Sequence, residues 1–132
     1  MKLSGFAIQT VPLVPILQRV EKMTKSPRME QIEAMLADDP DDAFLRYGLA
    51  MEHASLGDDD GCVAVLRDLI VRSSMDPYVP AFLQAGQALV RLDKIDEACA
   101  MLKEGIAVSG RVGTPDALHA QGEMQGLLSS VE

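Results

Sequence analysis

From Met29 onward the apolar residues of this chain recur three and four apart, the spacing of one face of an α-helix. Met29, Ile32, Met35 and Leu36 form a first stripe, opened by Ser26-Pro27, a capping residue followed by proline in the first turn. "DDPDD", Asp38 to Asp42, breaks that stripe and supplies carboxylates suited to the start of the next helix. Phe44, Tyr47, Leu49, Ala50 and His53 follow and run to a stop at Gly57. A third helix is predicted from about Asp59 to Arg72, carrying Cys62, Val65, Leu66, Leu69 and Ile70. "MDPYVP" opens a fourth with Phe82, Ala85, Gly86 and Leu89, and "LDKIDEA" turns into a fifth with Ala98, Met101, Leu102 and Ile106. "GRVGTP" ends the fifth and caps a sixth at Thr114-Pro115, whose stripe includes Ala117, Ala120, Met124 and Leu127. No alternating β-branched runs appear, and no Asn-Gly or Asp-Gly lies between such runs. The predicted class is all-α.

The pattern repeats. Arg46, Leu49, Ala50, His53, Cys62 and Leu66 fall 36 residues before Phe82, Ala85, Gly86, Leu89, Ala98 and Leu102. A large residue, a hydrophobe three on, a small residue, and another large one three later resemble the tetratricopeptide repeat. So do the second small residue, twelve after the first, and the hydrophobe four beyond it. "YVPAFLQAGQALVRLDKIDEACAMLKEGIAVS" is the better copy: Phe82 takes the usual Trp position, Gly86 the close-packing position, and Ile95 the common turn aromatic. The first copy has Arg46 for the aromatic, Ala50 for Gly and His53 for Tyr, with a longer linker at "RSSMDP". The resemblance implies a short solenoid of helical hairpins, with repeats over about 41–76 and 77–110 and capping helices over about 27–37 and 115–130. Together these make a domain over 26–132, preceded by a segment over 1–25. Two repeats are fewer than a solenoid needs to bury its faces, so the flanking helices supply the missing cover.

Composition narrows the function. Ala, Leu, Met and Val carry the apolar load; aromatics are 4% and Trp is absent. The net charge of −8 argues against a general nucleic-acid binder, which needs surplus Lys and Arg. Residues 1–30 hold five basic and two acidic residues, so the rest of the chain carries −11. The basic N-terminal segment either lies on the acidic body or hangs free. Pro12 and Pro15 interrupt its apolar run and no A-x-A-like cleavage site follows, which argues against a signal peptide. A start at Met23 stays open. Cys62 and Cys99 are read as buried reduced thiols, and the expected setting is a soluble protein of the cytoplasm, not a membrane one.

Catalytic and metal chemistry find little support. Placing Gly61 at the glycine of a calcium loop puts Leu56 first and Arg67 last, and neither is a calcium ligand. Asp58, Asp59 and Asp60 instead read as a helix cap. His53 and His119 are the only histidines; His53 falls at a core position of the repeat and His119 on a helix surface. No Gly-rich phosphate loop, G-x-S-x-G or H-E-x-x-H occurs. The expectation is no enzyme activity, no cofactor and no metal.

What remains is surface. The resemblance implies a concave groove lined by the first helix of each hairpin: Phe44, Tyr47, Met51 and Ser55, then Leu83, Gln87, Val90 and Arg91. Such a groove suits an extended peptide or a helix of a partner protein, making the chain a scaffold or adaptor. The alternative is a structural protein that self-associates through exposed solenoid ends or its N-terminal segment. The family's clamp for a C-terminal carboxylate uses Lys and Asn where this chain has Tyr47 and Met51, so that specificity does not carry over. The groove can also be filled from within, by the N-terminal segment or the last helix.

Overall fold

The computed structural model describes residues 25–132. Six helices account for them: α1 (Pro27–Asp38), α2 (Ala43–Ser55), α3 (Asp59–Arg72), α4 (Pro80–Arg91), α5 (Ile95–Val112) and α6 (Pro115–Val131). The expectations for residues 1–24 lie outside the described residues.

Local chemistry sets the helix boundaries. Ser26, Asp42, Asp58 and Thr114 each cap a helix with a side-chain oxygen that accepts a backbone N–H three residues on. Proline opens α1, α4 and α6, at positions where the N–H has no helical partner. The two hairpin turns share one closure. Gly57 (φ 80°) and Asp93 (φ 60°) sit in the left-handed region, and the next N–H bonds back, Asp58 to the His53 carbonyl and Lys94 to the Leu89 carbonyl, each at 2.9 Å. Glycine takes that conformation freely; aspartate is among the few other residues that tolerate it.

Successive helices pack as neighbours, and α4 also touches α6. The core runs from Ala50 through Cys62, Leu66 and Leu69 into Phe82, Leu89, Ala98 and Leu102, and on to Met124. Close approach within the second hairpin needs glycine: a Cβ on Gly86 would stand 2.5 Å from Leu102 Cδ2. Gly105 does the same between helices, where a Cβ would meet Met124 Sδ at 2.5 Å and Phe82 Cβ at 2.6 Å.

The first hairpin solves its substitutions with polar contacts. Arg46, in the position of Phe82, folds along the surface: its Nε donates to the Pro40 carbonyl at 2.7 Å and Nη1 to Asp68 Oδ2 at 3.0 Å. His53 is half-buried rather than a core ring, because its Nδ1 is drawn to Asp58 Oδ2 at 2.9 Å. Cys62 is buried as expected, but Cys99 is only half-buried. Ala98 takes the inward position on α5, and its neighbour is turned about 100° away on the helix.

Candidate functional site

Asp58, Asp59 and Asp60 act as a helix start. Asp58 Oδ1 accepts the Gly61 N–H at 2.9 Å, and this bond, with the His53 contact second, holds the Asp58 carboxyl below the usual range. A Cβ on Gly61 would stand 2.3 Å from Asp58 Oδ2, so the glycine makes room for the cap. Asp59 binds Arg91, and Asp60 lies 3.7 Å from Lys94. His119 is exposed, 3.3 Å from Glu123 one turn on. Among the described residues, no group of three or more His, Cys, Asp or Glu side chains is placed to hold a metal ion. No helix among them is long and apolar enough to cross a membrane.

The eight groove candidates divide by environment. On α2, Phe44 is exposed, Tyr47 and Met51 are half-buried against the core, and Ser55 is exposed with its hydroxyl on the Glu52 carbonyl at 2.9 Å. On α4, Leu83 is buried in the core, Gln87 and Val90 are half-buried, and Arg91 is exposed but committed to Asp59. Tyr47 and Tyr78 pack ring against ring, centroids 5.3 Å apart and planes tilted by 46°. Burial pushes the Tyr47 hydroxyl up from its ordinary pKa and the nearby titratable hydroxyl of Tyr78 adds to this, while a hydrogen bond from Gln84 opposes it. Tyr78 shifts the same way, through burial and then Asp42. Desolvation pushes the Cys62 thiol up to about 11, making it a packing group and a poor nucleophile.

An open cleft of about 460 Å³ lies between α1 and α2. Ile32 and Met35 form its α1 wall, and Phe44, Leu45, Gly48 and Met51 its α2 wall, with Arg28 and Glu52 at the rim. It takes in two of the eight candidates, Phe44 and Met51. The α1 wall was not singled out from sequence, although Met35 stood in the apolar stripe. Glu52 is anchored there by Ser26 Oγ at 2.9 Å, with Arg28 Nε at 3.9 Å.

Two solved structures resemble this arrangement. A solution NMR structure of a tetratricopeptide repeat domain protein from Salinibacter ruber is 31% identical, with a TM-score of 0.59, covering 70% of this chain and 89% of that one. A crystal structure of a tetratricopeptide repeat domain protein from the same organism is 29% identical, with a TM-score of 0.57, covering 69% and 99% respectively. Neither a family model nor a curated protein sequence matches the chain.

Proposed function

Because the chain belongs to the tetratricopeptide repeat family, we propose that it is a non-catalytic scaffold or adaptor that holds a peptide or helix of another protein along α2 and α4. The observation that carries this reading is the half-open row of Tyr47, Met51, Gln87 and Val90. They stand on the first helices of consecutive hairpins, apolar with one amide between them. Apolar side chains that keep part of their surface in water gain from being covered, and Gln87 offers a donor and an acceptor to a peptide backbone. Ser55 and Phe44 extend the row along α2, while Leu83 supports α4 from within. Arg91 meets an incoming carboxylate only if Asp59 yields it.

The experiment is affinity capture with the full chain from its own cell type, comparing wild type with Tyr47→Ala and Gln87→Glu. A surface variant on the opposite helices, Arg67→Ala, is the control. Capture of one protein by wild type and Arg67→Ala but not by the two groove variants supports the reading. Equal capture by all four places the contact elsewhere and removes it.

A second reading, self-assembly through the solenoid ends, draws on exposed Phe44 and Met35 at one end and Leu118 on the last helix. Light scattering of the full chain at micromolar concentration decides it: a dimer mass favours assembly and a monomer mass rejects it.

A further inference from the structure

We propose that the α1–α2 cleft is the seat of residues 13–23 of this same chain, which pair with α1 to complete a third hairpin at the N-terminal end. This goes beyond the partner-binding reading and does not depend on it; a filled cleft takes Phe44 and Met51 out of the partner's groove and leaves it Tyr47, Ser55, Gln87 and Val90. The first support is the internal repeat. Positions 81 and 88 on α4, each 0% exposed, correspond 36 residues on to Ala117 at 3% and Met124 at 0% on α6. Thus a first helix that follows a complete hairpin has this row covered. The same two positions on α2 are Leu45 and Glu52, and both are only half-buried. Beside them Phe44 is 73% exposed and Met35 48%. The preceding hairpin contributes α1 among the described residues, so the row lacks one helix of cover.

The second support is the chain that leads into α1. Within each hairpin three residues separate the helices, 56–58 and 92–94. Three residues before Pro27 bring the end of a pairing helix to Met23. Leu13, Ile16, Leu17, Val20 and Met23 fall on one helical face, while Gln18, Arg19, Glu21 and Lys22 fall on the other. Pro12 and Pro15 lie at the opening turn of such a helix, where N–H groups have no helical partner. Residues 1–24 carry three basic groups, Lys2, Arg19 and Lys22, and one acid, Glu21, against a strongly acidic body.

Gly48 is the third support. A glycine inside a helix is destabilising relative to alanine, yet a Cβ there would meet only Ile32 Cδ1, at an ordinary 3.7 Å. An incoming backbone at the cleft floor gives the missing side chain a purpose. Glu52, the one charge in the row, already has Ser26 and Arg28 as partners and tolerates cover.

Hydrogen exchange read by mass spectrometry on the full chain, with no partner present, tests this. Amides of residues 16–23 are expected to exchange at least about tenfold more slowly than an unstructured peptide, unchanged on dilution. Met35→Asp with Phe44→Asp alters two exposed side chains and should return 16–23 to unstructured rates while α4 and α5 keep their protection. Leu17→Asp, which leaves the described body untouched, should do the same and also speed exchange in α2. Unprotected 16–23 in the wild type overturns the proposal. So does protection that survives both variants, which would mean docking elsewhere, or protection lost on dilution, which would mean the segment of a second copy. Any of these leaves the partner-binding reading standing.

Discussion

Arg91 at the end of α4 grips Asp59 at the start of α3 with a fork. Nη2 stands 2.9 Å from Oδ1, and Nε stands 3.1 Å from both carboxylate oxygens. The pair ties one hairpin to the next at the turn end of the stack. It also takes a side chain that the repeat pattern assigns to the groove and commits it inside the molecule. Asp59 holds the guanidinium more firmly protonated than usual.

Fork geometry is what lysine cannot reproduce. With the Arg91 side chain about half exposed, the pair contributes modestly: Arg91→Lys should cost less than about 1 kcal/mol. A double-mutant cycle with Asp59→Ala, read by urea unfolding, should give a small favourable coupling that shrinks in molar salt. A coupling of zero at low salt would contradict the fork.

Two glycines on first-type helices should respond with opposite signs to the same change. Gly86→Ala drives a methyl into Leu102, and overpacking of about 1–3 kcal/mol should outweigh the helix-propensity gain. Gly122, within α6, has nothing within 4 Å of its would-be Cβ, so Gly122→Ala should stabilise by roughly 0.5–1 kcal/mol. Urea midpoints for the two variants check both signs.

The two thiols should separate under a thiol reagent. Cys62 is buried with its pKa pushed up to about 11 by desolvation, and Cys99 is half-buried. At pH 8 Cys99 should label first, and Cys62 only as fast as the protein opens. Equal rates in the folded chain would contradict the packing of Cys62.

Asp58 makes the first hairpin sensitive to acid. Its folded pKa is lowered, first by the Gly61 N–H and then by His53. The folded state therefore binds fewer protons than the unfolded chain as this group titrates. Its contribution is full above the unfolded carboxylate value near ~3.9 and is lost as pH falls through the lower folded value. Asp58→Ala should cost about 1 kcal/mol at neutral pH, and the gap from wild type should close in acid. A gap independent of pH would contradict the cap.

Helix boundaries were legible because local chemistry writes them: Ser26-Pro27, Asp58 and Thr114-Pro115 act on backbone groups within one turn. The fold followed from the 36-residue pattern, since Phe82, Gly86, Ala98 and Leu102 meet inside one hairpin. The candidate site was less legible, because exposure depends on neighbours from other hairpins. Tyr47 and Leu83 hold equivalent positions, yet Leu83 is buried while Tyr47 stays half-open against Tyr78. Arg46 stood at the repeat's aromatic position and Arg91 in the groove, and their partners Asp68 and Asp59 lie 22 and 32 residues away. The open row on α2 showed only once the burial of Ala81 and Ala88 gave it a reference.

The claim that α2 and α4 hold a partner is tested most directly by photo-crosslinking in the native cell. The full chain would carry the crosslinker at Ser55 or Gln87, with Ala64 on α3 and Ala107 on α5, both exposed, as controls. The account predicts one protein adduct of the same mass from Ser55 and Gln87 and none from Ala64 or Ala107. Adducts no more frequent at Ser55 and Gln87 than at the controls would contradict it.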